Sequence, residues 1–331
     1  MIQTLSAVYG AAAAWRRAWY ARHPEWQHRL QRPVVSVGNL GVGGAGKTPI
    51  VEHVARLLVA RGERPAILTR GYGRRTAAPG VTVVSDGTRV LAGVDNAGDE
   101  PLMLARAVPG VIVAVGADRY LSGCLAERRL GATVHILDDG FQHFGLWRDV
   151  DLLVTGEDDL HDQPLPAGRL RERLAAARNA DAVIVDAGYL PAAERVGRAL
   201  GVTQVFRGTR VLGPPRMVGS GDTVVVPEKS RVFATAGIAR PERFFADLSA
   251  ADWQVVGTMP FRDHHQFTQG DVKRIGVAAK ASAASIILTT DKDAVRFAAS
   301  DLADLPIAAV PLAATIEPAD DFCAWLLGRL Q

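Results

Sequence analysis

Gly41-Val42-Gly43-Gly44-Ala45-Gly46-Lys47-Thr48 decides how this chain is read. The stretch fits G-x-x-x-x-G-K-[ST], a phosphate-binding loop. Its flanks are those the pattern needs. Val34, Val35 and Val37 form a β-branched run before it, and Pro49 leads into Ile50, Val54, Leu57 and Leu58 at helical spacing after it. Strand, glycine loop and helix together predict a nucleoside triphosphate site. Glycines let the backbone wrap the anion, since positive φ costs them little. The amides and the helix N-terminus then direct positive charge at it. In this reading Gly41, Gly43, Gly44, Ala45 and Gly46 cradle the phosphates, Lys47 reaches the β- and γ-phosphates, and the Thr48 hydroxyl ligates Mg²⁺.

Away from the loop the chain is ordinary for an α/β protein. Its 331 residues suggest about two domains, and a net charge of +3 argues against a nucleic-acid binder acting through bulk electrostatics. Cys124 and Cys323 form neither a disulfide framework nor a metal spacing, which points to a reducing cytoplasm. No run of 18 apolar residues predicts a transmembrane helix, and the N-terminal arginines follow the apolar stretch, unlike those of a secretory signal.

Residues 1–32 stand apart. Ile2, Leu5, Tyr9, Ala12, Trp15 and Trp19 recur at helical spacing, while Arg16, Arg17, Arg22, Arg29 and Arg32 face the single acid Glu25. An amphipathic helix lying in a membrane interface has this composition. A helix packed on the globular body with solvated arginines has it too.

From Pro33 to about Asp186, short apolar runs alternate with helical segments. Strands are expected at 34–37, 66–69, 111–115, 133–137, 152–154 and 182–185, with helices at 50–61, 100–107, 118–130 and 170–178. This order predicts a doubly wound, mostly parallel sheet with helices on both faces. Residues 81–91 read as an inserted hairpin. Periodicity weakens near 207–230, and a second alternating unit follows, with strands at 232–235, 253–256, 285–288 and 307–310 and helices at 241–249, 270–281 and 318–329. The predicted organisation is an N-terminal helix (1–32), a P-loop domain (33–215) and a smaller α/β domain (225–331).

Several polar groups sit where chemistry would need them. Val134-His135-Ile136-Leu137-Asp138-Asp139 is an apolar strand ending in two acids, the form of a Walker B element that holds Mg²⁺. Gly98-Asp99-Glu100-Pro101 places acids at a helix start, where plain dipole complementation is the alternative. Asp263-His264-His265 could supply an acid–base pair or form an exposed polar turn. Arg70-Gly71-Tyr72-Gly73-Arg74-Arg75 sets arginine forks at a strand end, suited to phosphate or to solvent.

Taken in order, these segments resemble one family. Gly38-Asn39-Leu40 with the loop, Arg70-Gly71-Tyr72-Gly73, Gly98-Asp99-Glu100-Pro101, Asp138-Asp139-Gly140-Phe141-Gln142-His143, residues 164–172, residues 237–245, Asp263-His264 and Thr290-Asp291-Lys292-Asp293-Ala294-Val295 resemble the tetraacyldisaccharide 4'-kinases of lipid A biosynthesis. Asp291 departs from the glutamate expected in that last motif. The resemblance implies ATP and Mg²⁺ as cofactors. It implies a lipid A precursor, tetraacyldisaccharide 1-phosphate, as acceptor, and peripheral attachment to the cytoplasmic face of the inner membrane. It implies a P-loop domain over which a smaller α/β domain closes. It places Glu100 and Asp138 near Mg²⁺ with Asp139 close behind, and makes Asp99 the group that takes the hydroxyl proton with His264 beside it. Arg70, Tyr72, Arg119, Gln142, His143 and Arg171 become candidates for the lipid headgroup. No motif points to an obligate protein partner. The main alternative is a nucleotide switch or chaperone-type NTPase with no small-molecule acceptor.

Overall fold

The computed structural model describes residues 1–43, 46–71, 74–76, 79–297, 302 and 305–331. The chain begins with helix α1 (Ile2–Arg22), and β1 (Val34–Gly38) leads through the glycine loop into α2 (Lys47–Ala60). There follow β2 (Pro65–Thr69), β3 (Thr82–Asp86), α3 (Val94–Ala97), α4 (Asp99–Ala107), β4 (Ile112–Val115), α5 (Arg119–Leu130), β5 (Val134–Asp138), β6 (Val150–Gly156), β7 (Ala182–Asp186), α6 (Leu190–Leu200) and β8 (Val205–Leu212). After β9 (Arg216–Met217) come β10 (Arg231–Ala236), α7 (Pro241–Ala250), β11 (Gln254–Pro260), α8 (Gln269–Ala281), β12 (Ile286–Thr290) and α9 (Asp291–Ala294). The chain ends with β13 (Ile307–Val310), β14 (Leu312–Glu317) and α10 (Ala319–Arg329).

Nine strands form the first sheet in the order β14-β8-β7-β6-β1-β5-β2-β4-β3. Those from β8 to β4 pair in parallel; β14 and β3 are antiparallel edges. β1 is fully buried, as its Val-rich run requires of a central parallel strand. Side-chain alternation sets the layers: Ile67 joins the core beneath α2 and α4, while Ala66 and Leu68 face the α5 side. The second sheet is β11-β10-β12-β13-β9, with α7 and α8 on opposite faces.

Four expectations change. The segment expected as a helix at 170–178 runs extended to Leu170, bridging Gly41 and Pro164, and then forms a 3₁₀ turn over Leu174–Asn179. Its backbone is spent on the glycine loop: Val42 N–H donates to Arg169 O and Arg171 N–H to Leu40 O. The expected hairpin keeps its turn but not its second strand, since β3 pairs with β4 and meets only a bridge at Val90. Strand β8 lies where periodicity weakened, because Arg207, Gly208 and Arg210 interrupt its apolar pattern. Finally, the C-terminal boundary of 225–331 does not hold for the last twenty residues. β14 pairs with β8, and Phe322 and Leu326 of α10 enter the core of the first sheet, where Phe322 meets Phe206 edge-on at 5.0 Å.

α1 packs with its small residues inward. Ser6 and Gly10 are buried, and the Ser6 hydroxyl donates to Pro164 O at 2.6 Å. Ile2, Leu5, Val8, Tyr9 and Trp15 point outward. Arg17 is not among the solvated arginines: it forms a two-pronged pair with buried Glu172 at 2.7 Å and also bonds Phe141 O at 3.1 Å.

Candidate functional site

The glycine loop joins the C-terminal end of β1 to α2. Gly43 and Gly46 take φ of 100° and 74°, conformations that an L side chain rarely adopts. Gly41 lies on the loop's entry, bridged to Leu170. Gly44 and Ala45 lie outside the described residues. Lys47 opens α2 and Thr48 stands in its first turn. The Lys47 ammonium donates to Asn39 Oδ1 at 2.7 Å and faces Asp139 Oδ1 at 3.1 Å.

Asp138 ends β5, one strand over from β1 and in register with Val37. It accepts a hydrogen bond from Thr69 at 3.0 Å. Burial, reinforced by the charges of Glu100 and Asp139, pushes its carboxyl up to about 6. Asp139 follows with φ of 54°. Burial raises its pKa, but Lys47 and Arg171 outweigh that and hold it below the ordinary carboxylate value. The crowding of acids around Asp138, whose own carboxyl is raised, is what a divalent cation would relieve. Among the described residues no three His, Cys, Asp or Glu side chains converge as a cage. A Mg²⁺ site completed by phosphates and water needs only one or two carboxylates, so the residues present fit one.

From Asp139 a chain of contacts runs to the N-terminal helix. Arg171 donates to Asp139 Oδ2 at 2.8 Å and to Gln142 Oε1 at 3.3 Å. The Gln142 amide donates to Asn39 O at 3.0 Å and to Glu172 at 3.1 Å, and Glu172 holds Arg17. Gln142 and Arg171, expected at the headgroup, here bond to each other and to the loop's own scaffold.

Asp99 starts α4 but does not cap it. Its Oδ2 meets His264 Nδ1 at 2.9 Å and accepts from Arg296 Nε at 2.8 Å. The Arg296 Nη2 lies 2.7 Å from the same oxygen. His264 follows β11 in a left-handed turn of φ 59°, held by its N–H donating to Gly237 O at 3.2 Å. Asp263, beside it, and Glu100 both face Lys292 of α9, at 3.5 and 3.2 Å. Arg296 was missed from sequence. Its signal was a basic residue three positions after Asp293, on the helical side of the Thr290–Val295 motif, where Asp293 accepts from it at 3.0 Å.

A basic group gathers at the C-terminal ends of β2 and β4. Arg119 is buried and donates to Gly116 O at 2.8 Å, and its Nε has no partner among the described residues. Burial, with Arg70 adding, lowers it to about 10. His143 is pressed down to about 4 by burial and then by Arg119, Arg148 and Arg70, so it is neutral at physiological pH. Tyr72 lies outside the described residues.

A P-loop lysine, paired acids at the next strand end, and an Asp–His contact between segments of the two sheets are groups that phosphoryl transfer can use. The comparisons give the family. The family described as LpxK, tetraacyldisaccharide-1-P 4'-kinase, matches residues 1–331. The tetraacyldisaccharide 4'-kinase of Geobacter metallireducens is 39% identical over 309 residues, covering 89% of this chain and 88% of that one. That of Koribacter versatilis is 39% identical over 324 residues, covering 96% and 94%. The crystal structure of LpxK from Aquifex aeolicus in complex with ATP superposes with a TM-score of 0.80 at 30% identity, covering 99% of this chain and 98% of that one. This chain belongs to the tetraacyldisaccharide 4'-kinase family.

Proposed function

We infer that the protein transfers the γ-phosphoryl group of ATP to the 4'-hydroxyl of tetraacyldisaccharide 1-phosphate, giving the 1,4'-bisphosphate. The observation that carries the mechanism is the Asp99–His264 contact beside a P-loop. A switch or chaperone-type NTPase has no acceptor hydroxyl for such a pair to serve.

The transition state of phosphoryl transfer is loose, so the protein's task is to position the reactants and balance charge. Lys47 leaves Asn39 and Asp139 to meet the β- and γ-phosphates. Thr48, Glu100 and Asp138 hold Mg²⁺, with Asp139 supporting from behind. Bound there, Mg²⁺ neutralises charge on the phosphate oxygens. Asp99 takes the proton of the 4'-hydroxyl, and His264 orients it. Among the described residues the Asp99 side-chain contacts fall on Oδ2, which leaves Oδ1 for the acceptor. Arg70, Arg119 and His143 receive the substrate's own phosphate. The buried, unpartnered Arg119 Nε and the mutual crowding of these cations support that reading, since an anion would relieve both. Tyr72, by the family resemblance alone, is a further candidate for the headgroup. The second sheet closes over the nucleotide and limits hydrolysis.

The substrate's acyl chains call for a lipid surface, and α1 supplies a face for one. Leu5, Val8 and Trp15 are 55%, 63% and 67% exposed on a helix that carries no acid. No helix among the described residues is long and apolar enough to cross a membrane. We place the protein on the cytoplasmic face of the inner membrane, held there peripherally by this helix.

The decisive experiment is mass spectrometry of the disaccharide 1-phosphate incubated with the protein, ATP and Mg²⁺. One added phosphate on the lipid is expected. Slow ATP hydrolysis unaffected by the lipid would instead indicate the switch.

A further inference from the structure

The base of this site is surrounded by charge that the family motif at Asp99 and His264 does not account for. Arg296 stands just after α9, and its side chain is fully buried. Its guanidinium is clamped from behind by the second sheet. Nη1 donates to Gly237 O at 2.9 Å and to Asp293 Oδ1 at 3.0 Å. Asp293 is itself fixed: its Oδ2 accepts from the Gly237 N–H at 3.0 Å and from the Thr290 hydroxyl at 2.7 Å. Across the seam Nε donates to Asp99 Oδ2 at 2.8 Å, and Nη2 stands 2.7 Å from the same oxygen. The same Nη2 lies 3.4 Å from His264 Nδ1, so imidazole and guanidinium share that oxygen.

We propose that Arg296 is a positioning residue of the phosphoryl transfer: it occupies Asp99 Oδ2, fixes the rotation of the carboxylate, and turns Oδ1 toward the acceptor hydroxyl. The proposal rests on the assignment of Asp99 as the base. A single hydrogen bond from a partly exposed imidazole fixes a carboxylate less than a buried guanidinium that is anchored through Nη1, donates through Nε at 2.8 Å and keeps Nη2 2.7 Å from the same oxygen. Arg296 also answers a question His264 leaves open. His264 is more than a quarter exposed and sits on a left-handed turn, whereas Arg296 is buried and bonded on three sides. The stiffer of the two contacts from the second sheet to Asp99 is therefore the arginine. Because both residues reach Asp99 from the second sheet, the carboxylate is held in its working orientation only when the two sheets are together.

Arg296 touches neither substrate nor nucleotide in this assignment, so the test must separate positioning from folding. R296A is expected to lower kcat by about 10²-fold while KM for ATP moves less than about threefold. Millimolar guanidinium should restore at least a tenth of the lost rate in R296A, since the planar cation fits the space left behind, and should restore none in D99A. R296K keeps the charge but not the fork, and is expected to lie between wild type and R296A. If R296A folds as wild type does by circular dichroism and keeps kcat within threefold, the proposal is overturned. It is also overturned if R296A is folded and impaired but guanidinium restores nothing. Should R296A fail to fold, R296K decides: a kcat below wild type at unchanged KM for ATP supports the role, and a wild-type kcat overturns it. D99A keeps the two assignments apart. An active D99A removes the base assignment itself, whereas an inactive D99A beside a fully active R296A removes only the role of Arg296.

Discussion

The two halves of the site are built differently. On the Lys47 side, among the described residues, the contacts come from the first sheet and its flanking segments: Asn39, Asp139, Arg171, Gln142 and Glu172, tied back to Arg17 of α1. On the Asp99 side the partners come from the second sheet, and the bonds to His264 and Arg296 span 165 and 197 residues of sequence. In the proposed assignment the phosphate-holding half lies within the first layer, apart from the Glu100–Lys292 pair at the seam, and the proton-taking half lies where two layers meet. A site divided this way would bind nucleotide before the base is assembled, which would keep water from using the γ-phosphate.

The largest expected effect tests the self-contained half. Lys47→Ala removes a transition-state charge contact of about 3–4 kcal/mol, so kcat should fall by about 10²–10³-fold or more. Retention of more than a tenth of the wild-type rate in a steady-state assay would contradict the role of that lysine. The assembled half should behave as a unit. Asp99→Ala and His264→Ala are each expected to cut kcat by about 10²-fold. Together they should do little more harm than the worse of them, with nucleotide affinity changed less. Losses that multiply would make the two residues independent and leave His264 as a closure contact.

Next comes the tie between α1 and the loop. Arg17→Ala strands Glu172, whose side chain is 3% exposed, and breaking a buried pair in this way costs about 3–5 kcal/mol. The apparent Tm should drop in a thermal scan, and adding Glu172→Gln should recover part of the loss. Leu5→Glu with Val8→Glu alters only the outer face. That variant should stay with the soluble fraction in flotation with anionic liposomes at an unchanged Tm. If it floats like wild type, the helix is merely structural.

The smallest effect concerns the seam. Asp291, in the first turn of α9, has its carboxyl raised to about 6 by burial, with Glu52 of α2 adding and Arg216 opposing. The folded protein therefore holds this proton more tightly than the unfolded chain. The associated stability is full below about pH 4 and lost as pH rises through about 6. Asp291→Asn should raise the apparent Tm at pH 8 by about 2–4 °C for each kcal/mol recovered, and the gain should vanish near pH 4. A gain independent of pH would mean that the charge at the seam is not its cause.

Much of this was legible in the residues. Mostly apolar runs such as Val34–Val37 and Val134–Leu137, interrupted only by Ser36 and His135, mark buried parallel strands because neither face meets water. The glycine loop and its lysine follow from local chain geometry. Segments whose partners lie far away were harder to read. Strand β14 (Leu-Ala-Ala-Thr-Ile-Glu) carries only Ala314 and Ile316 as buried apolar residues, and its identity depends on β8, about 100 residues earlier. The chain at 170–178 reads as a helix, but its start is claimed by the backbone of Leu40–Val42. Arg296 looks like any basic residue at a helix end until Asp99 is brought beside it from across the seam. Likewise the stripe of α1 was visible as periodicity, but the inward turn of its small residues depends on Pro164 and Arg173 lying against Gly10.

The return of β14 to the first sheet also shapes how the protein must be made. Everything from β9 to β13 is synthesised between β8 and the strand that covers its edge. At bacterial translation speeds of about 5–20 residues per second, those roughly 100 residues take about 5–20 s. Through that interval Phe206 waits for Phe322 and Trp325, and β8 offers an unpaired edge. The second sheet, inserted within the first, has all its strands before the first is whole. The half of the site that holds nucleotide is therefore the earlier to be translated and the later to be finished, and a chain interrupted before Leu312 would carry a glycine loop on a sheet still open to aggregation.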